Sequence, residues 1–222
     1  MLMQRPHTIA IFAQSLDGKL SAGVDRRPHF PSGSDSVHLQ RQVASCEAVV
    51  MGGETLRAYG TSVRLQDPQL IDQRLQQGFE PQPLTIICSA RAKFSPTLPF
   101  FQQPLRRWLW TTPEGAIPWQ QHSGFEAIWI ATDWDLSARL RQLKSLGIRS
   151  LGILGGGKVT GAFLTAGLLD ELWITLCPLL MGNSMTTPNA VLASLGRSDL
   201  TTQFHLLSWN RQGEELFLHY CR

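Results

Sequence analysis

The sequence predicts a three-layer α/β fold: a mostly parallel mixed sheet with helices on both faces and a C-terminal antiparallel hairpin. Three observations carry this. Near-continuous apolar runs of strand length recur along the 222 residues, the pattern of strands covered on both faces. Several of them end in glycine turns that open directly into helical patterns. Near the C-terminus, two apolar runs instead flank a stretch of turn-forming residues. A single domain, 1–222, accommodates all of them, because a chain of this length buries a substantial core without metals or disulfides.

The first run is Thr8 to Ser15, a central strand in this reading, and it leads into Leu16-Asp17-Gly18-Lys19. At a strand end, Asp17 and Lys19 either meet a ligand or merely cap and solvate the turn. Ser21 to Pro31, with Gly23, Pro28 and Pro31, reads as a loop able to cover a site, and Ser34 or Asp35 caps a helix from about Ser36 to Ser45. Glu47 to Met51 is a short buried strand, and Gly52-Gly53-Glu54-Thr55 turns at once into a helix. A polar connection around Asp67-Pro68 follows, with a short helix at Ile71 to Gln77.

Leu84 to Ser89 resumes the strand pattern, with Arg91 and Lys93 just beyond it. Arg106 to Thr112 and Phe125 to Ala131 are two further strands, whose tryptophans serve packing. Asp135 caps an amphipathic helix with Leu136, Leu140 and Leu143 on one stripe. Ser150 to Leu154, the turn Gly155-Gly156-Gly157 and a helix over Val159 to Ala166 form the clearest strand–turn–helix unit of the chain. Its bare glycines let a phosphate approach the backbone, and the helix start offers free N–H groups and a positive dipole end. Glu171 to Cys177 is a strand, and Ser184 to Leu200 is irregular. Phe204 to Trp209 and Glu215 to Tyr220 form the hairpin, with Asn210 to Gly213 as its turn.

Composition narrows the function. Hydrophobic content of 43% and charged content of 17% exclude extended disorder, and a net charge of +3 lacks the dense basic stripe of a nucleic-acid partner. Cys46, Cys88, Cys177 and Cys221 are far apart and form no Cys-x-x-Cys pair, so they read as free thiols in a reducing, cytoplasmic setting. No apolar run reaches membrane-spanning length and no secretory signal pattern opens the chain. The Gly-x-Gly-x-x-Gly and Gly-x-x-x-x-Gly-Lys-Ser/Thr fingerprints are absent, as are the nucleophile elbow and zinc-ligand spacings, so no metal is expected. Ligands of such sheets sit at the carboxyl ends of the parallel strands, where the stretches 15–19, 52–55, 89–93 and 155–158 all fall. A phosphate-binding rim without metal or covalent nucleophile suits a hydride-transfer enzyme whose cofactor supplies the reactivity.

Ser15-Leu16-Asp17-Gly18-Lys19, Val49 to Leu56, and Gly155 through Gly167-Leu168-Leu169-Asp170-Glu171 to Pro178-Leu179-Leu180-Met181-Gly182 resemble the reductase domain of riboflavin biosynthesis. The resemblance covers nearly the whole chain, without the deaminase domain that often precedes this reductase. It implies a dihydrofolate-reductase-like fold, a homodimer, NADPH, and reduction of 5-amino-6-(5-phosphoribosylamino)uracil to its ribityl form. Carried over by position, Gly52, Gly53 and Thr55 contact the cofactor. Gly155, Gly156, Gly157, Lys158, Val159 and Gly161 hold its pyrophosphate, and Ser89 with Arg91 its 2′-phosphate. Lys19 orients the substrate or donates a proton, Asp17 fixes that turn, and Ser32, Asp67 and Leu154 face the substrate.

Two positions depart from the family. Leu154 stands where the family commonly has a glutamate that reaches the substrate, and Gln42-Val43-Ala44 stands in place of Leu-Arg-Ala. The cofactor half is thus kept and the substrate half altered. Competing readings are a same-fold reductase of a pterin or dihydrofolate-like substrate and a nucleotide-binding protein without catalysis. The pterin reading is disfavoured because no buried carboxylate is evident in the first strand–helix unit.

Overall fold

The computed structural model describes residues 4–20, 32–182 and 201–222. The loop expected at Ser21 to Pro31 and the irregular stretch expected at Ser184 to Leu200 lie outside them. The strands are β1 (His7–Ser15), β2 (Ala48–Gly52), β3 (Leu84–Cys88), β4 (Arg107–Thr111), β5 (Ala127–Ile130), β6 (Ser150–Leu154), β7 (Glu171–Cys177), β8 (His205–Gln212) and β9 (Glu215–Cys221). The helices are α1 (Gly33–Ala44), α2 (Gly53–Tyr59), α3 (Pro68–Gln76), α4 (Pro113–Ala116), α5 (Leu136–Ser145) and α6 (Gly157–Thr165). All nine strands form one sheet in the order β5-β4-β3-β2-β6-β1-β7-β9-β8. The seven from β5 to β7 run parallel, and β9 and β8 add on antiparallel to β7. The predicted mixed sheet with its terminal hairpin is borne out.

Strand side chains alternate between two cores, which makes three layers. Ile9, Ile11, Val49 and Met51 pack with Val43 of α1 and Leu56 of α2. Ala10, Val50, Ile86 and Ile153 pack on the opposite face with Leu140 and Leu143 of α5 and Phe163 of α6. Trp108 and Trp129 meet at 5.0 Å on that second side, so the alternate tryptophans serve packing as expected.

Local chemistry shifts several boundaries. α1 starts earlier than predicted because Ser32, not Ser34 or Asp35, is its cap: the Ser32 hydroxyl accepts from the Asp35 N–H at 3.0 Å. α3 starts at Pro68 because Asp67 caps it by accepting from the Gln69 N–H, with proline preset at the first helical position. The hairpin turn is tighter than expected. Asn210 to Gln212 pair with β9, leaving Gly213 at φ 61° and Glu214 as a two-residue turn of the kind glycine favours. None of the four cysteines forms a disulfide.

A polar staple joins the starts of β1 and β7. Asp170 accepts from both guanidinium nitrogens of Arg5 at 2.6 and 2.7 Å, and from the N–H and hydroxyl of Thr8 at 2.9 and 3.0 Å. Burial alone pushes this carboxyl up, but these donors outweigh it and hold it below its usual value of 3.8. A depressed folded value means the staple contributes fully above the unfolded value and is lost as pH falls through the folded one. Asp170→Asn is therefore expected to flatten the loss of stability below about pH 4. Urea midpoints measured across that range check this; an unchanged acid slope removes the staple from the account.

Candidate functional site

The turns that follow β1, β2, β3 and β6 come together, because these strands are neighbours and parallel. At β6, Gly155 and Gly156 both adopt left-handed backbone, φ 55° and 77°, and α6 starts immediately after them. The Thr160 N–H already donates to Gly156 O at 3.2 Å. The earlier amides, those of Gly157, Lys158 and Val159, are the ones a helix start leaves for an anion. A Cβ on Gly155 would meet nothing within 4 Å, so this side of the turn is open.

The other glycines are held tightly. A Cβ on Gly156 would lie 2.9 Å from Thr55 Oγ1, one on Gly52 3.2 Å from Val159, and one on Gly53 2.5 Å from Ser89 Oγ. Gly52, Gly53, Thr55, Ser89, Gly156 and Val159 thus form one contact set drawn from three strand ends. Lys158 Nζ reaches across to Glu54 Oε1 at 2.6 Å, pinning the start of α6 to that of α2. Gly161 is buried one turn along α6, and Arg91 is exposed beyond β3.

The loop after β3 is strained. Ala92 is buried with φ 43°, a left-handed conformation that costs a non-glycine residue about 1–2 kcal/mol. Its N–H donates to Ser89 Oγ at 3.2 Å and its carbonyl accepts from Trp119 Nε1 at 2.8 Å. Sequence reasoning missed Ala92 and Trp119, since nothing local marks an alanine for that conformation.

At the end of β1, Asp17 is saturated by its own neighbourhood. It accepts from Ser15 Oγ at 2.6 Å and from the N–H groups of Met181 and Gly182 at 3.1 Å each. The Ser15 hydroxyl, followed by the Met181 amide, brings its carboxyl down to about 2. Asp17 therefore ties the exit of β1 to the exit of β7. Lys19 is buried at 3% exposure, with Nζ 3.6 Å from Asp17 Oδ2, and its N–H donates to Ser15 Oγ at 2.9 Å.

The three residues assigned to the substrate side each have an engagement within the fold. Leu154 is buried with Val43, Ile11 and Met51, so both positions that depart from the family lie in one apolar core and present no polar atom. Asp67 is engaged in capping α3 and Ser32 in capping α1. The Ser32 hydroxyl also donates to Glu215 Oε2 at 2.5 Å. The expectation that the first strand–helix unit lacks a buried carboxylate is corrected as well. Asp35, one turn into α1, is buried, and the Thr175 hydroxyl of β7 bonds to it. Ser32, not Asp35, is the cap; in sequence an acid at a helix start looks the same in either role.

Among the described residues no cluster of ligands suits a metal and no helix is long and apolar enough to cross a membrane. A family model described as the RibD C-terminal domain matches residues 6–218. The 2,5-diamino-6-ribosylamino-4(3H)-pyrimidinone 5′-phosphate reductase of Archaeoglobus fulgidus is 25% identical over 181 residues, covering 80% of this chain and 83% of that protein. The riboflavin biosynthesis protein RibD of Escherichia coli is 26% identical over 220 residues, 92% of this chain and 57% of RibD. A solved pyrimidine reductase-like protein from Corynebacterium diphtheriae superposes with a TM-score of 0.77 over 97% of this chain and 91% of its own, at 19% identity, a likeness of fold.

Proposed function

Because the chain belongs to the RibD C-terminal domain family, we propose that it reduces the ribosyl group of a ribosylaminopyrimidine phosphate to the ribityl form in riboflavin biosynthesis. Two relatives, from Archaeoglobus fulgidus and Methanothermobacter thermautotrophicus, are named as reductases, and the chain is an oxidoreductase of that type. The observation that supports this reading best is the contact set of Gly52, Gly53, Thr55, Ser89, Gly156 and Val159 below the open face of Gly155.

The cofactor in this reading is NADPH, which when bound supplies a hydride for the sugar C1. The amides of Gly157, Lys158 and Val159 would hold its pyrophosphate, and Gly52, Gly53 and Thr55 would contact the cofactor beside them. Ser89 and Arg91 take the 2′-phosphate. Lys19 orients the opened sugar or delivers the proton that completes the reduction, and Asp17 keeps that turn in place. The chain acts as one reductase domain on a small molecule, without nucleic acid. Cysteines without disulfides agree with a cytoplasmic setting. A homodimer is favoured by Leu206, Leu207 and Trp209, all more than half exposed on the edge strand β8.

A second reading, reduction of a pterin, gains from Asp35. The test is consumption of NADPH with the 2-amino-4-oxo and 2,4-dioxo ribosylaminopyrimidine phosphates, and with dihydrofolate. Turnover of either pyrimidine is expected; turnover of dihydrofolate alone moves the chain to the pterin reading. Lys19→Met is expected to lower kcat by about a hundredfold while NADPH affinity is retained. An unchanged kcat takes Lys19 out of the chemistry.

A further inference from the structure

The strained turn after β3 is anchored residue by residue to the end of β4 and the segment that follows it. The Ser89 N–H donates to Trp110 O at 2.9 Å. Ala90 O accepts from the hydroxyls of Thr111 and Thr112 at 3.2 and 2.8 Å, and Ala92 O accepts from Trp119 Nε1 at 2.8 Å. Trp119 is 3% exposed, stacked on Phe101 at 5.1 Å and edge-on to Phe125 at 4.9 Å, so its indole N–H is held in place. Arg91 stands between the two anchored carbonyls. It is exposed, and among the described residues its guanidinium makes no hydrogen bond or ion pair.

Alanine does not hold a φ of 43° by itself, because its Cβ crowds the backbone there, and the surroundings must impose it. The buried bond from Trp119 does so at the Ala92 carbonyl. Once released, Ala92 returns to negative φ, its N–H leaves Ser89 Oγ, to which it donates at 3.2 Å, and Arg91 is displaced with it. The hydroxyl is affected too. While the Ala92 N–H occupies a lone pair of Ser89 Oγ, the hydroxyl proton is left to donate, and among the described residues it has no acceptor. A Cβ on Gly53 would lie 2.5 Å from Ser89 Oγ, which sets this hydroxyl against the start of α2, within the cofactor contact set. The turn thus carries one neutral and one cationic donor, both unspent, beside that set.

We propose that Trp119, with Thr112, is a positioning residue for cofactor choice: by holding the carbonyls on either side of Arg91, the two keep the Ser89 hydroxyl and the Arg91 guanidinium aligned as joint donors to the 2′-phosphate of NADPH. This rests on the NADPH reading above and adds what makes that phosphate site selective. A phosphate dianion gains from charge-assisted bonds at fixed angles, so a turn displaced by even about 1 Å forfeits much of them. NADH carries a neutral hydroxyl at the same place and gains little from the guanidinium. Loosening the turn therefore weakens NADPH and spares NADH. Neither Trp119 nor Thr112 touches the cofactor in this arrangement; both act through the backbone of 90–92.

Trp119→Phe keeps an aromatic ring in the stack and removes the donor. Calorimetric titration is expected to show its NADPH affinity lowered about tenfold or more, with NADH affinity changed less than about twofold. A merely structural loss weakens both cofactors together, so the ratio of the two affinities separates the roles. Arg91→Met is expected to lower the same ratio, and Trp119→Phe added to it to bring little further change, since both act largely through one guanidinium. Thr112→Val is expected to shift the ratio in the same direction but less, because Thr111 still reaches Ala90 O; if Trp119→Phe does not fold, the ratio in Thr112→Val decides in its place. A ratio lost in Arg91→Met but unchanged in Trp119→Phe overturns the proposal and leaves the cofactor reading standing. A ratio unchanged in Arg91→Met, or a wild type without preference for NADPH, takes the phosphate site away from this turn and the proposal with it. A wild type that prefers NADPH but reduces no ribosylaminopyrimidine fails the substrate reading alone, and the affinity ratios still decide the role of Trp119.

Discussion

Arg74→Met is expected to lower the stability of the protein by about 3–5 kcal/mol, the largest effect of any single substitution outside the site. Arg74 is 1% exposed, and its guanidinium has no carboxylate partner at salt-bridge distance among the described residues. It donates instead to three carbonyls: Ala44 O at 2.7 Å, Cys46 O at 2.6 Å and Glu80 O at 2.9 Å. Those oxygens belong to the end of α1, the link into β2 and the loop after α3. Methionine fills a similar volume but donates nothing, so buried carbonyls lose charge-assisted bonds and gain no water. Urea unfolding checks this: the midpoint should fall sharply with little change in slope. An unchanged midpoint would mean that the carbonyls find other donors.

Gly156→Val is expected to cost more than a hundredfold in NADPH affinity while leaving the protein folded. At φ 77° a β-branched residue is strained, by about 1–2 kcal/mol or more. Its Cβ would also press on Thr55 Oγ1 at 2.9 Å, so the turn must move away from α2 and its amides lose their alignment. Gly155 differs, since its left-handed φ of 55° faces open space. Gly155→Asn therefore keeps the backbone and adds bulk only on the ligand side. A fluorescence titration with NADPH, beside a urea curve for each variant, separates lost binding from lost folding. Affinity retained in Gly156→Val would remove this turn from the cofactor site.

Much of the fold was legible because it is written locally. Each interior strand is an apolar run, and Asp135 caps α5 through the Ala138 N–H as its position predicts. The glycine turns were legible for the same reason. What was not legible depends on partners distant in sequence. Whether Asp35 is an exposed cap or a buried acid is decided by Thr175 and Glu215, which arrive some 140 and 180 residues later. Leu154 was read as a substrate contact from its place before the glycines, yet alternation along β6 turns it into the core with Val43. Asn210 to Gln212 have turn-type composition, and pairing with β9 overrides it.

The place of β1 in the sheet bears on how the chain is made. Its two neighbours are β6 and β7, which lie between residues 150 and 177. On the ribosome β1 emerges before the other strands of this sheet, and its native partners β6 and β7 follow only after β2 to β5. β2, β3 and β4 find one another early, but the middle of the sheet closes only when β6 and β7 arrive on either side of β1. Such late, long-range parallel pairing is slow, and it leaves an apolar strand exposed in the nascent chain. The pairing order alone thus makes β1 the strand of this sheet that waits longest for its neighbours.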